Sequence, residues 1–373
     1  MEMDGESFSN VTFSDLTYGT VYEANYTNYS TEAELPGYIF WYVTIANLCI
    51  FIVGVVGNIL VLTVIIRNKK MRTHMNCLLC NLCIADLQVL LICQPAGMVE
   101  FYGKDRWYLG PVMCKLVPLF ENASLNASVL TLWVISCERY QAICRSLKNN
   151  ICQLAKNAGN CVLLIWACAY LLSLPFFFMT YHETASFYDG TEVMVCRTHV
   201  NEFWHFFYVT AMTVVFFLLP LVILLFMYCA IIRKIFLTQS PDENPPSRQR
   251  KQAILMIIGV VTLFFVSLVP IRTVTMWIVY YSSNDDKRQL GFETYTNFIC
   301  LARIMLNVNS AGNPIIYGLV SSRFRMAFRN IGACGRRSSN NEQSKFPTEI
   351  STSKHNPRVF KMERKKVSFG TNV

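Results

Sequence analysis

Apolar residues in this chain fall into seven blocks, at about 39–66, 75–101, 112–144, 157–180, 203–237, 252–281 and 294–320. Each holds 20 or more residues, the helical length that crosses roughly 30 Å of hydrocarbon. Lipid offers no partner to open backbone groups, so blocks of this length predict helices whose bonds close internally. The expected fold is all-α, one bundle of seven transmembrane helices over residues 39–320. Residues 239–247 are polar and proline-rich and read as a linker between helices five and six. Residues 321–331 change character: Phe324, Phe328 and Ile331 share one helical face, flanked by Arg323, Arg325 and Arg329. That pattern predicts a short amphipathic helix on the inner membrane surface, in contact with lipid, within a segment spanning 321–334.

Basic residues orient the bundle. Segment 1–38 has no Lys or Arg and carries Asp4, Glu6, Asp15, Glu23, Glu32 and Glu34. The stretch after helix one holds Arg67, Lys69, Lys70 and Arg72, and the one after helix three holds Arg145 and Lys148. Segment 233–251 adds Arg233, Lys234, Arg248, Arg250 and Lys251. The N-terminus is therefore expected outside and the C-terminus inside a plasma membrane, which requires an odd number of spans. The net charge of +9 becomes a property of the cytoplasmic face. Topology accounts for it without nucleic-acid binding. No cleavable leader is evident, so helix one is expected to target the chain. Residues 1–38 form an external tail, and 335–373, rich in Ser, Asn and Lys, a disordered cytoplasmic one.

Composition adds two further expectations. Acceptor patterns at Asn10, Asn25 and Asn28 fall in the external tail and predict glycosylation. The same pattern at Asn122 and Asn126 falls inside helix three, out of reach of that machinery. Of 15 cysteines, only Cys114 and Cys196 fall at predicted external positions, so these two are expected to pair. Cys77, Cys80 and Cys83 have a metal-ligand spacing, but small apolar side chains in a membrane helix explain them better. Cys334 follows the amphipathic segment and is placed to carry a palmitoyl chain.

Polar groups inside hydrocarbon are costly and mark candidate sites. Asn58, Asp86, Ser128, Asn309, Ser310 and Asn313 cluster near mid-membrane. A carboxylate ringed by neutral oxygens suits a small hard cation such as sodium, and equally a plain hydrogen-bond network. Nearer the outer side lie Glu121 and Asn126 on helix three, Arg272 on helix six and Arg303 on helix seven. Two guanidinium forks suit a ligand rich in carbonyl or carboxylate oxygens. Glu121 can receive a cationic group, or pair internally with an arginine. No nucleophile–base constellation supports an enzyme, and no cofactor motif is present. A transporter or channel is disfavoured, because neither an inverted repeat nor a pair of broken helices is found.

These residues resemble the rhodopsin-like (class A) G-protein-coupled receptors over about 40–331. The resemblance rests on Gly57-Asn58, on Leu82-Cys83-Ile84-Ala85-Asp86, and on Cys114. It continues through Glu138-Arg139-Tyr140, Trp166, Pro220 with Tyr228, Phe264 with Pro270, and Asn313-Pro314-Ile315-Ile316-Tyr317 followed by Phe324. Each motif is weak alone. In order, each on its expected helix, they are specific. The resemblance implies that Glu138 restrains Arg139, which on activation meets the G protein together with Tyr228 and Tyr317. It also implies a packing switch of Val129, Pro220 and Phe264, and an allosteric sodium ion at Asp86, Ser128, Asn309, Ser310 and Asn313. One departure stands out. Helix six reads Ser267-Leu268-Val269-Pro270, without the tryptophan usual two residues before the proline. No acidic residue near Arg250 offers Arg139 a partner.

Within that family the resemblance is greatest to peptide receptors. Asn126-Ala127-Ser128, Pro270-Ile271-Arg272-Thr273, and Arg303 eleven residues before Pro314 are similar to the thyrotropin-releasing-hormone receptor group, with the ghrelin and motilin receptors as cousins. Asn122 and Glu121 stand where that group has Tyr and Gln. The implied ligand is an amidated neuropeptide and the implied transducer a Gq-type G protein, with arrestin and receptor kinases as further partners. An amine receptor using Glu121 as counter-ion is the alternative. Thr371-Asn372-Val373 also fits the ending that PDZ domains accept.

Overall fold

The computed structural model describes residues 35–144, 157–186, 190–237, 248–281 and 292–329. Asn10, Asn25 and Asn28, the linker at 239–247, Arg145, Lys148, Cys334 and the tail with Thr371–Val373 lie outside the described residues.

Helix α1 spans Gly37–Arg67 and begins directly after Pro36. Its faces are inverted relative to those of a water-soluble helix. Ile45, Leu48, Ile52, Val56 and Ile59 form an exposed stripe at helical spacing, while Asn47 and Asn58 are buried. An exposed apolar stripe, with the two amides turned inward among Val43, Val61 and Ile65, is a helix solvated by lipid.

Helix α2 runs His74–Tyr102, capped by the Thr73 hydroxyl, which accepts from the Asn76 amide at 3.3 Å. A π turn at Val89–Cys93 interrupts it just before Pro95. Proline has no N–H and crowds the carbonyl one turn back, so the wider turn relieves both problems. Helix α3 covers Gly110–Cys144. Gly110 sits at φ 77°, a left-handed conformation that costs glycine nothing. Helix α4 is Ala158–Met179. Helix α5 runs as Phe203–Thr213, a π turn at Val214–Leu218, then Leu219–Leu237. Helices α6 and α7 are Arg248–Tyr281 and Phe292–Val320, and the short α8 covers 322–329. Each lies on one of the apolar blocks or on the amphipathic segment that follows them.

Among the described residues five helices (α1, α2, α4, α5 and α6) are long and apolar enough by composition to cross a membrane. The other two long helices, α3 and α7, carry Glu121, Glu138, Arg139 and Arg303. Helix α3 is central: it packs on α2, α4, α5 and α6. Helix α7 packs on α6, α1 and α2. The α1–α7 contact is close enough that a Cβ at Gly57 would lie 2.7 Å from the Pro314 Cβ, so Gly57 is where the two helices need a missing side chain.

Between α4 and α5 the chain forms an antiparallel hairpin, β1 (Thr180–Ser186) and β2 (Glu192–Thr198), with His182 opposite Cys196. The disulfide Cys114–Cys196 fastens β2 to the first turns of α3. Trp107 packs against the bridge, and its backbone N–H donates to the Met194 carbonyl at 2.8 Å.

Candidate functional site

At the hairpin end of the bundle a cleft opens between α2, α3, β2 and α7. Glu121, Asn122, Gln94, Asn307 and Arg303 line it, and Cys196 and Thr198 on β2 roof it. Across the cleft one guanidinium nitrogen of Arg303 donates to both oxygens of Glu121, at 2.9 and 3.0 Å. The two side chains keep only 16% and 20% of their exposure, so the pair is poorly screened by water. Of the two uses open to Glu121 in the sequence, the internal pair with an arginine is the one observed.

Asn122 lines the cleft too, although its amide donates to the Pro118 carbonyl one turn back, at 2.9 Å. That proline has no N–H for the Cys114 carbonyl one turn back, and the Asn122 bond to the proline's own carbonyl is additional to the ladder. Asn126 is not among the residues that line this cleft. It is buried, and its amide donates to Ser173 Oγ on α4 at 2.9 Å. One helical turn below Asn122 it has rotated out of the cleft, and it ties α3 to α4. Arg272 sits apart from this cleft, on α6. Its Nε is buried without a hydrogen-bond partner, and Glu121 and Tyr208 lie within electrostatic reach.

Two cleft-lining residues, Gln94 and Asn307, and the buried Asn47 bonded to both escaped the sequence reading. Asn47 on α1 accepts from Gln94 of α2 through both its backbone and side-chain oxygens, at 2.9 and 3.0 Å. Its side-chain oxygen also accepts from Asn307 of α7 at 3.0 Å. A buried amide in an apolar block is the same signal that singled out Asn58, so all three were findable.

Deeper in the bundle Asp86, Ser128, Asn309, Ser310 and Asn313 are all buried. Asn313 donates to Asp86 at 2.9 Å, and Asn58 donates to the Ser310 carbonyl at 3.1 Å. The side-chain oxygens of Asn58, Asn309 and Asn313 have no hydrogen-bond partner. Beside this cluster Trp166 donates to Asn81 at 2.7 Å and Asn81 to Thr131 at 2.8 Å, joining α4, α2 and α3. Val129, Pro220 and Phe264 are buried, and the rings of Phe264, Phe265 and Phe217 follow one another at 5.3 and 5.6 Å. Leu268 is buried where the family's tryptophan would stand.

At the opposite end a second cavity is lined by His74, Glu138, Arg139, Gln252 and Arg323. Glu138 does not restrain Arg139 here. No ion pair joins them among the described residues, and Glu138 Oε1 lies 2.5 Å from His74 Nδ1 instead. Tyr140 is half-buried one residue on. Tyr228 shares a 2.7 Å hydrogen bond with Ser136, and Tyr317 is fully buried with its ring stacked on Phe324 at 5.7 Å.

The geometry agrees with comparisons to known proteins. The model for the seven-transmembrane receptor (rhodopsin family) matches residues 57–317, from the Gly57 contact to the Tyr317 stack. Galanin receptor 2a of Danio rerio is 32% identical over 294 residues, 77% of each chain. A QRFP-like peptide receptor of Branchiostoma floridae is 28% identical over 295 residues, 76% of each chain. The thyrotropin-releasing hormone receptor of Homo sapiens is 28% identical over 347 residues, 84% of each chain. With a family model covering most of its length and a seven-helix bundle to match, this chain belongs to the rhodopsin family of seven-transmembrane receptors and is a multi-pass membrane protein, not an enzyme.

Proposed function

We propose that this receptor binds an extracellular amidated peptide and activates a heterotrimeric G protein of the Gq type, releasing calcium. The observation that carries the peptide reading is the Glu121–Arg303 pair. An amine ligand needs an uncommitted carboxylate, and Glu121 already has its counter-charge. The cleft beside it presents amide groups from Gln94, Asn122 and Asn307. Amides and a forked guanidinium suit peptide carbonyls and a terminal amide. The partnerless Nε of Arg272 supports a second oxygen contact from α6. The names of the relatives support the same ligand class, since they include galanin, a QRFP-like peptide and thyrotropin-releasing hormone.

In this reading the hairpin end and residues 1–38 face outward, with sugars at Asn10, Asn25 and Asn28. Arg139, with Tyr140, Tyr228, Asn313, Pro314 and Tyr317, forms the coupling end, and Val129, Pro220 and Phe264 the packing switch between the two ends. Arrestin and receptor kinases act on the cytoplasmic side, Cys334 carries a lipid, and Thr371–Val373 engages a PDZ domain.

The cluster around Asp86 fits a sodium ion. Its donors are one buried carboxylate and the hydroxyl and amide oxygens of Ser128, Asn309, Ser310 and Asn313, two of them orphaned. Oxygen-only donors suit a hard cation. The ion would neutralise a carboxylate that is otherwise costly at this depth.

The test is calcium release in cells expressing the chain, challenged with amidated peptides. A response that disappears in cells lacking Gq-type subunits supports the whole reading. A peptide response that persists there without loss leaves the ligand class standing and removes the transducer.

A further inference from the structure

Glu138 and Arg139 are adjacent on α3, where neighbouring side chains diverge and a carboxylate must bend back to reach the guanidinium beside it. Here it does not. The Glu138 carboxylate leans the other way, to His74 in the first turn of α2, with 2.5 Å between Oε1 and Nδ1. Neither imidazole nitrogen meets directed hydrogen-bond geometry, so the contact becomes an ion pair when the ring carries its proton. Both side chains keep a quarter of their exposure. Arg139 is left with its Nε unpartnered at the wall of the cavity.

We propose that His74 is a positioning residue for coupling: it holds the Glu138 carboxylate away from Arg139 and leaves the guanidinium available to the G protein. This rests on the reading of Arg139 as the G-protein contact. One carboxylate cannot satisfy two cations fully, so imidazolium and guanidinium compete for it. When the imidazole loses its proton, the competition tilts toward Arg139, which keeps its charge at any physiological pH.

The neighbouring charges do not replace His74 in this role. Glu138 and Arg139 come from α3 and Arg323 from α8, and all three line the same cavity. Arg72, in the turn before α2, is bonded to the Ile66 carbonyl. The α6 wall contributes the neutral Gln252, which accepts from the Ser322 hydroxyl at 2.7 Å. The arginines keep their charge throughout, and burial raises the Glu138 carboxyl, so Glu138 and the imidazole are the two groups of this cavity wall that can change charge.

The experiment uses the full-length receptor in permeable membranes with one purified Gq-type G protein. Basal nucleotide exchange is read per receptor from about pH 6 to pH 8, where an imidazole changes charge. Each preparation is compared with Glu138→Gln in the same G protein, which cancels the pH response of the G protein itself. Wild type should lose exchange severalfold relative to that reference as pH rises. His74→Gln, which keeps a polar side chain of similar reach, should be low and flat. Adding Glu138→Gln to His74→Gln should restore exchange to at least the wild-type level, because the competing carboxylate is gone. A His74→Gln receptor with the wild-type level and the wild-type pH profile overturns the proposal. So does a wild-type ratio that is flat across the range, a result that needs no variant of His74 to fold. Arg139→Ala separates the two layers. It should abolish exchange in every background, and survival of exchange in it overturns the coupling reading itself.

Discussion

Arg303 reaches from α7 to place one guanidinium nitrogen between both carboxylate oxygens of Glu121 on α3. This pair neutralises Glu121 in a cleft that the buried Glu100 also lines, and Glu100 too has a partner. Pairing also makes Glu121 and Arg303 energetically inseparable. Removing one partner of a shielded pair strands the other, which is costlier than removing both. Arg303→Ala alone should therefore weaken agonist potency by about tenfold to a hundredfold. Glu121→Gln combined with Arg303→Ala should be milder than the sum of the single effects, read from potency curves on surface-matched cells. Strict additivity would place the two residues in separate roles.

Asn126 makes the opposite prediction. Because its amide is spent on Ser173, Asn126→Ala should cost about 1 kcal/mol of stability and lower the melting temperature of the purified receptor. Agonist potency should stay within a few-fold of wild type. Ser173→Ala on top should add little. A large potency loss with unchanged melting would return Asn126 to the ligand site.

The Cys114–Cys196 bridge holds the hairpin over the cleft. Replacing either cysteine by alanine should reduce surface expression or agonist affinity strongly, since a removed native disulfide typically costs about 2–5 kcal/mol. Normal expression and affinity in both variants would show that the hairpin holds its place unaided.

Sodium binding at Asp86 has a linkage signature. An ion that favours the resting state must lower agonist affinity as its concentration rises. Asp86→Asn should erase that dependence, measured as agonist affinity in sodium against a large organic cation at equal ionic strength. Equal sodium sensitivity in both receptors would leave the orphaned oxygens of Asn309 and Asn313 as parts of a hydrogen-bond network only.

The seven helices were legible because lipid imposes a length and an apolar composition that few other structures share. The disulfide was legible because topology left two cysteines outside. What the sequence left open was rotation and pairing. Asn122 and Asn126 sit four residues apart, yet a small rotation sends one to the cleft and the other to α4. Glu121 had two chemically reasonable fates, and only the distance to Arg303 chose between them. Glu138 beside Arg139 looks like a pair in sequence, while its partner, His74, lies 64 positions earlier on another helix. The hairpin between α4 and α5 was missed because its strands are short and their pattern is set by the bridge rather than by alternation.

The central claim is that this receptor's cleft takes a peptide and not an amine. The most direct measurement is ligand-stimulated nucleotide exchange on one membrane preparation, with a panel of short amidated peptides and a panel of small amines run side by side. The account predicts that a peptide stimulates exchange, that Arg303→Ala shifts its potency right by about tenfold or more, and that no amine acts. Stimulation by an amine, lost in Glu121→Gln and without any peptide response, would contradict it.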